Sequence, residues 1–339
     1  MDYSKAYAAN WHVYAVNPDT WADGEPLANV DSVSITRTAD GSLLESGSMV
    51  ISEDFENGYY RLVMVAEQDS EVERVEIGTF LFECHSGNYN YGTSSHSAEG
   101  HSVLYPASTT RLLAGAYAPA GVDGAEYVKG ILTKAISAPV DVQGSFTLNE
   151  NVVHELGSTV LDAAWAVLTA GNFVMQIDGH GTVIIRPMPD KATLALSTAN
   201  AKLMIPGVDF QDDMTDIPNR FTAVNGERTA TVTNDLEDSI VSTVNRGYIN
   251  DVVEEDATPC NGETLEGYAR RRLRELSLMS DTRTYTREWA DGVLPYSLVE
   301  ASMPSVGLEG NLRVVSQSLT CNYGITVQEQ AIKEVQLWQ

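Results

Sequence analysis

Short strand-like segments divided by tight-turn signals are the feature that most restricts the fold of this chain. One turn signal, Asp40-Gly41, lies inside the β-rich stretch 31–52, and a second, Asn225-Gly226, divides two strand-like pieces in the C-terminal half. Asp-Gly and Asn-Gly mark hairpins because they accept the positive φ angles of a two-residue hairpin turn. Residues 31–105 therefore predict a meander of five or six strands, which favours a β-barrel or a β-sandwich.

The middle of the chain, residues 106–199, has a helical rather than a strand-like period. In its clearest stretches, apolar side chains recur three and four residues apart, as they do on one face of an α-helix. The predicted helices cover 109–117 after a cap at Ser108, 125–136, and a segment that begins after Thr159. A hairpin with its turn at 178–181 follows. This part of the chain is predicted to be an α+β unit.

The third predicted helix has the clearest end signals. Thr159 is the expected N-cap, and Asp162 stands three residues later, where its carboxylate completes a variant of the capping box. Gly171 occupies the position at which a left-handed C-cap is expected.

Strand-like sequence returns after residue 200 and is interrupted by one helix, predicted at about 264–279. The predicted fold class is a β-rich α+β protein. It has two antiparallel β-barrel domains, at 1–105 with an N-terminal arm and at 200–339, and an α+β domain at 106–199 between them.

The charge of the chain argues against nucleic-acid binding. Lys and Arg number 21 and Asp and Glu number 47, so the net charge is −26 and the surface repels phosphate. No run of about 18 apolar residues is present, so we expect no membrane insertion. The N-terminus lacks a basic start followed by an apolar segment, so we expect no Sec signal.

The sequence offers no recognisable catalytic, cofactor or metal motif. Cys84, Cys260 and Cys321 are odd in number and widely spaced, so we expect free thiols rather than disulfides or a zinc site. The nucleophile elbow, the phosphate-binding loops and the zinc-protease helix motif are absent. Carboxylates are so numerous that their pairs carry no information without a measured separation. We therefore expect no enzyme activity and no cofactor.

One basic cluster is unusual in so acidic a chain. Arg270, Arg271, Arg272 and Arg274 fall within five positions of the predicted C-terminal helix. Two interpretations stay open. The block is either a solvated helix face partly paired with Glu266 and Glu275, or an electrostatic dock for an acidic neighbouring subunit.

The order of these elements resembles that of a known family. The matching stretches are SVSITRTADGSLLESGSMVIS, VEIGTFLFECHSGNYNYGTSSHSAEGHSVLYP, STVLDAAWAVLTAGNFVMQIDGHGTVIIRPMP and DDMTDIPNRFTAVNGE. From about residue 30 to residue 339 the chain resembles the baseplate hub proteins of tailed bacteriophages. It is also similar to the N-terminal hub region of the tail-associated proteins of long non-contractile tails. The likeness lies in the general sequence pattern and in the order of the predicted elements, not in a catalytic motif.

The resemblance implies a structural role. Members form homotrimers in which each subunit supplies two β-barrel tube domains, so three subunits make a ring of six barrels that adapts a sixfold tail tube to a threefold tip. Expected partners are the tail tube or distal tail protein and a spike, fibre or tail lysin chain, and DNA crosses the lumen without specific binding. The expected location is the virion tail tip, after synthesis in the bacterial host cytoplasm. The sequence ends at Gln339, soon after the second predicted barrel, so we expect a separate spike or lytic chain unless the sequence is part of a longer protein.

Two other classes of function stay open at this stage. One is a β-rich tail protein that binds host carbohydrate, with sugar-stacking candidates at Trp11, Trp21, Trp165, Trp289 and Trp338. Of these, Trp165 lies on a predicted apolar helix stripe and is better explained as a core residue. The other is a cell-wall hydrolase that uses an acid pair in the α+β domain.

Overall fold

Strands make up most of the chain in the computed structural model. The structure describes residues 7–27, 30–39, 41–52, 56–90, 93–197, 204–212, 214–255, 257, 264–321 and 324–336. The strands within these ranges are β1 (Ala8–Val16), β2 (Asp23–Leu27), β3 (Val30–Thr38), β4 (Glu45–Ile51), β5 (Gly58–Gln68), β6 (Glu71–Asn90), β7 (Thr93–Ser102), β8 (Tyr117–Ala118), β9 (Val140–Val142), β10 (Val152–Val153), β11 (Phe173–Ile177), β12 (Val183–Pro187), β13 (Ala192–Ser197), β14 (Met204–Asp212), β15 (Arg220–Asn225), β16 (Arg228–Thr233), β17 (Asp251–Glu254), β18 (Leu278–Glu288), β19 (Leu298–Met303), β20 (Leu308–Cys321) and β21 (Ile325–Gln336).

Helices are few and short. They are α1 (Tyr105–Thr109), α2 (Gly124–Leu132), α3 (Val160–Ala170), α4 (Thr243–Arg246) and α5 (Leu265–Leu276), with a 3-10 turn at Pro304–Val306. Within the described ranges, no α-helix has both the length and the apolar composition that crossing a bilayer requires. The β-rich α+β class is confirmed by this element content.

One large sheet contains strands from both ends of the chain. Its order is β14-β18-β21-β20-β3-β4-β7-β6-β5-β1-β2, and β19 pairs with β20 and with β13. The link between the two halves is the antiparallel pair β20–β3, in which Leu319 lies opposite Ile35. In the described pairing, neither half closes on itself, so the two predicted barrels are not confirmed. The three-domain boundaries stay a prediction.

Contacts divide the chain into two compact units. The first contains residues 1–208 and 284–331, and the second contains residues 209–283 and 332–339. The first unit holds the sheet's main core, in which inward-facing residues such as Ile35, Met49 and Leu319 are almost fully buried. Alternation of buried and exposed residues along β3 and β4 follows the period of two that a half-buried strand requires.

The predicted hairpins are largely confirmed. β5 and β6 pair antiparallel, with Gln68 opposite Glu71, and β15 and β16 pair around a turn in which Gly226 has a φ of 59°. β3 and β4 also form a hairpin, in which Arg37 lies opposite Glu45. Asp40, on which the turn prediction partly rested, lies outside the described residues.

The first helix prediction was wrong. The helix is α1 at Tyr105–Thr109 rather than at 109–117, and Thr110 already has an extended conformation. Pro106 lies in its first turn, where the fixed φ of proline suits a helix start. The predicted cap, Ser108, is inside the helix, and its hydroxyl donates to the carbonyl of Tyr105 at 2.7 Å.

The second and third helices were predicted well except at their C-terminal ends. α2 begins after the N-cap Asp123 and ends at Leu132, four residues before the predicted end. In α3 the capping box of Thr159 and Asp162 is confirmed, with bonds of 2.8 and 3.1 Å.

The C-terminal end of α3 corrects another prediction. Gly171 has a φ of −99°, and the left-handed residue is Asn172, with a φ of 54°. Gly171 is glycine for a different reason, because a Cβ there would lie 2.3 Å from the ring of Phe146.

The turn between β11 and β12 docks onto the large sheet of the first unit. The carbonyl of His180 accepts hydrogen bonds from Trp21 Nε1 at 2.8 Å and from the buried Arg61 at 3.1 Å. His180 Nδ1 lies 2.8 Å from a carboxylate oxygen of Glu76. A Cβ on Gly179 would come within 1.7 Å of the Glu76 carbonyl oxygen. This contact fixes the α+β part on the sheet.

In the second unit, β15 pairs with β16 and with β17, and α5 packs on one face of this sheet. The small core there is formed by Phe221, Ala223, Val232, Ala257, Tyr268, Ala269 and Leu273. α5 was predicted at about 264–279 and is confirmed at Leu265–Leu276, with Thr264 as its N-cap.

Candidate functional site

The predicted arginine block lies on α5 of the second unit. Tyr268, Ala269 and Leu273 turn one side of this helix into the core. Arg270 and Arg274 lie on its exposed side, whereas Arg271 and Arg272 are half-buried next to the core face, and the structure brings all four arginines together on one helix. Whether this block is a subunit interface stays a prediction.

Arg271 and Arg272, the inner members of the block, form ion pairs with acidic side chains. Arg272 bonds Glu254 on β17 at 3.2 Å and Glu275 at 2.7 Å, and Arg271 bonds Glu275 at 2.9 Å. Although partial burial raises the pKa of Glu275, the two guanidinium groups outweigh it and hold that pKa below its usual value. The Arg272–Glu254 contact ties the helix to its own sheet, and the two contacts with Glu275 lie within the helix.

Arg270 and Arg274, the outer members of the block, are more exposed to solvent. Arg270 is 61% exposed and lies 3.8 Å from Glu266, which is itself 71% exposed. Arg274, in the last turn, is also exposed. Exposed ion pairs of this kind contribute little to stability, roughly 0–1 kcal/mol. Arg270 and Arg274 are thus the members of the block best placed to meet another surface.

A second surface was not predicted from the sequence. On the outward side of β20, β3, β4 and β7, in the first unit, two rows of residues cross the sheet. One row is Thr320, Ser34, Ser48 and Glu99, and the next is Ser318, Thr36, Ser46 and His101. We call these eight residues the hydroxyl face.

The hydroxyl face carries little charge for so acidic a chain. Six of its residues are Ser or Thr, and Glu99 is the carboxylate among them. Ser34 Oγ and Ser48 Oγ lie 2.7 Å apart across the strands, and the residues of the face on β3, β4 and β7 line a shallow depression of about 280 Å³. Ser and Thr at alternate positions of three of these strands were the available signal in the sequence. The strand register that brings these residues together could not be predicted from the sequence.

The buried carboxylate of Glu45, in the first unit, has no room for a substrate beside it. Burial raises the pKa of Glu45 to about 7, against the pairing with Arg37 that lowers it. Glu45 borders a cavity of only about 10 Å³, enough for about one water molecule. Among the described side chains, no group of three His, Cys, Asp or Glu residues is arranged to hold a metal ion.

The aromatic candidates have different environments. Trp21 and Trp289 are buried, Trp11 and Trp165 are half-buried, and Trp338 lies outside the described residues. Trp165 lines an open cleft of about 380 Å³ together with Tyr296 and Asp162.

Comparison with known proteins relates the chain to tail proteins through its fold. No protein-family model matches the sequence, and no curated protein matches it. Among solved structures, the tail protein from Neisseria meningitidis MC58 has a TM-score of 0.68 and 15% identity, over 97% of both chains.

Two further solved structures with a similar fold are also tail proteins. The 43 kDa tail protein of prophage MuSo2 from Shewanella oneidensis has a TM-score of 0.67 and 14% identity, over 96% of this chain and 98% of that one. The prophage tail protein gp18 from Listeria monocytogenes EGD-e has a TM-score of 0.51 and 12% identity, over 94% of both chains. The resemblance to tail proteins predicted from the sequence is confirmed at the level of the fold.

Proposed function

We propose that this chain is a structural hub of a phage or prophage tail tip. Three copies form a homotrimeric ring that joins a sixfold tail tube to a threefold spike or fibre, and DNA passes through its centre. The partners are the tail tube or distal tail protein on one side and a spike, fibre or tail lysin chain on the other. The protein acts in the virion after synthesis in the bacterial cytoplasm, and the role requires no catalysis.

The observation that carries this proposal is the fold shared with tail proteins over nearly the whole chain. The likeness to the Neisseria and Shewanella proteins covers 97% and 96% of the residues, so it is not confined to one common domain. Fold likeness does not establish function by itself. It supports the hub role together with the β-rich α+β element content, which is the class expected for that family.

In this proposal the two tube domains are residues 1–105 and 200–339, with the α+β domain at 106–199. Strands from the two regions lie in one sheet, joined through β20 and β3. A tube wall built from adjacent domains requires such a continuous sheet, since an unpaired strand edge would expose backbone donors and acceptors.

We assign the hydroxyl face to the wall of the DNA passage. Phosphate groups bind where Lys and Arg cluster, and neither row of this face contains a basic residue except His101. Hydroxyl groups are neutral and add no positive charge to retain phosphate, and the Glu99 carboxylate repels it. The surface therefore suits a polyanion that must move past without being retained.

Electron microscopy of the purified chain tests the proposal. We expect ring-shaped particles whose class averages have threefold symmetry and a central channel. Particles without a channel, or with another symmetry, contradict the hub role. As a test of the passage wall, the double variant Ser34→Lys, Ser48→Lys is expected to retain duplex DNA on the ring, whereas the unchanged ring does not.

The open cleft at Trp165 supports a second candidate, a tail protein that binds carbohydrate. Its aromatic rings have their polar tips engaged, since Trp165 Nε1 donates to Ser42 O at 3.1 Å and the Tyr296 hydroxyl donates to Ala39 O at 2.6 Å. The faces of the two rings then stay available to a sugar, whereas the Asp162 carboxylate is already bonded by Thr159 N at 2.8 Å. Glycan-array binding that is lost in Trp165→Ala and kept in Trp11→Ala favours this candidate over the hub.

A further inference from the structure

Exposed apolar side chains concentrate in one loop of the second unit, which joins β16 to β17. Leu236, Ile240, Val244 and Tyr248 recur every four residues and are 43%, 55%, 56% and 52% exposed, and Ile249 is 53% exposed. We call these five residues the apolar ridge. Contiguous exposed apolar surface on a soluble protein marks an interaction site more often than isolated exposed residues do.

Buried polar groups hold the first part of this loop. Asn234 is fully buried, its side-chain amide donates to Ser239 Oγ at 2.8 Å, and its carbonyl accepts from Thr243 N at 2.9 Å. Ser242 is also fully buried and caps α4 by accepting from Asn245 N at 3.2 Å. The Asn245 amide in turn donates to the carbonyl oxygens of Glu237 and Ser239, both at 2.8 Å.

A second set of bonds holds the end of the loop. Asn219 is fully buried, donates to Tyr248 O at 2.9 Å and accepts from Asn250 N at 2.8 Å. Arg246 donates to Ile217 O at 2.7 Å. The loop thus buries several polar side chains while its five ridge residues stay exposed. Because it is already ordered, docking against it carries little further ordering cost.

The acidic residues beside the apolar ridge indicate which kind of partner surface covers it. Asp235, Glu237 and Asp238 flank Leu236 in the sequence and are all exposed. A partner for this surface needs cations beside apolar surface. Arg270 and Arg274 on α5 supply that chemistry, because an arginine carries an apolar stem below its charged group. Two copies of a chain of net charge −26 repel each other as wholes, and a contact that pairs opposite charges offsets this repulsion.

We propose that the apolar ridge of one copy docks against α5 of the next copy, with the loop acids facing Arg270 and Arg274. The contact is head-to-tail, since it joins two different surfaces, and head-to-tail contacts generate closed rings when the rotation between copies closes. The inference rests on the trimer of the proposed function and names the surfaces that form it.

Sedimentation velocity on matched variants tests this contact. The double variant Ile240→Ser, Val244→Ser is expected to raise the dissociation constant of the assembly at least about thirtyfold, as loss of a central interface cluster does. The control is Leu113→Ser, Leu156→Ser, which removes apolar side chains that are 87% and 85% exposed outside the ridge. The control is expected to assemble like the unchanged chain.

Charge reversal tests the pairing of the two surfaces. Arg270→Glu, Arg274→Glu and Glu237→Lys, Asp238→Lys are each expected to weaken assembly, and the chain with all four changes is expected to recover it. Failure of the fourfold variant to recover, or normal assembly of the ridge variant, overturns this inference while the trimer itself stands. An unchanged chain that stays monomeric overturns both the contact and the trimer of the proposed function.

Discussion

The buried carboxylate of Glu45 gives the sharpest test of the electrostatic account of the first unit. Glu45 lies on β4 opposite Arg37, and Arg37 Nε bonds one of its oxygens at 3.3 Å. Its other oxygen, Oε1, has no hydrogen-bond partner among the described residues. Burial is the largest influence and raises the pKa to about 7 from an ordinary value of 4.5, and the nearby Asp178 adds to it.

The pH dependence follows from this pKa. Between pH 4.5 and pH 7 the folded protein keeps the proton on Glu45, whereas the unfolded chain has released it. The free energy of unfolding therefore falls as pH rises through this window, by about 1.4 kcal/mol per pH unit. The total loss is about 3 kcal/mol as an upper value, and it levels off above pH 7.

The variant Glu45→Gln isolates this effect, because glutamine does not titrate. Relative to the unchanged chain, the variant is expected to gain about 2 to 3 kcal/mol in unfolding free energy from pH 4.5 to pH 8. Urea unfolding followed by tryptophan fluorescence measures the difference, since the buried Trp21 and Trp289 both belong to the first unit. The exposed Glu99→Gln is the control and should show no such trend. A difference between Glu45→Gln and the unchanged chain that does not vary with pH refutes the reasoning.

Three further substitutions test local features by urea unfolding at constant pH. Gly179→Ala should lower the unfolding free energy by about 3 kcal/mol, because its Cβ would lie 1.7 Å from Glu76 O. An unchanged unfolding free energy would show that the turn at Gly179 can move away from Glu76 without cost. Gly130→Ala, in the exposed part of α2 with no atom within 4 Å of the added Cβ, should raise it by about 1 kcal/mol, and a loss would contradict the helix assignment. Thr159→Ala should lower it by about 1 kcal/mol through loss of the α3 cap, so an unchanged value would mean that the capping box is dispensable.

Elements set by local interactions were predictable from the sequence. The capping box of Thr159 and Asp162 and the Asn225-Gly226 turn depend on residues a few positions apart. The misplaced first helix shows the limit of such signals. Ser108 has the chemistry of a cap, but the helix, with Pro106 in its first turn, starts at Tyr105, four residues before the predicted start at 109.

Features that depend on distant pairing were not predictable. The hydroxyl face exists because Thr320 lies opposite Ser34 and Ser34 lies opposite Ser48. A shift of one residue in either register would turn the hydroxyl groups to the other side of the sheet. The arginine block could be found in the sequence because its members share one helix. The acids of the loop at 235–238 became candidates for an interface only when the structure showed exposed apolar side chains on the same loop.

The solution mass of the purified chain tests the central claim most directly. Light scattering at low and moderate salt should give about 110 kDa, three times the 36.8 kDa of one chain. Weakening of the assembly by salt is expected as well, since screening reduces the attraction between exposed charges. A mass of one chain at every concentration and salt contradicts the homotrimeric hub.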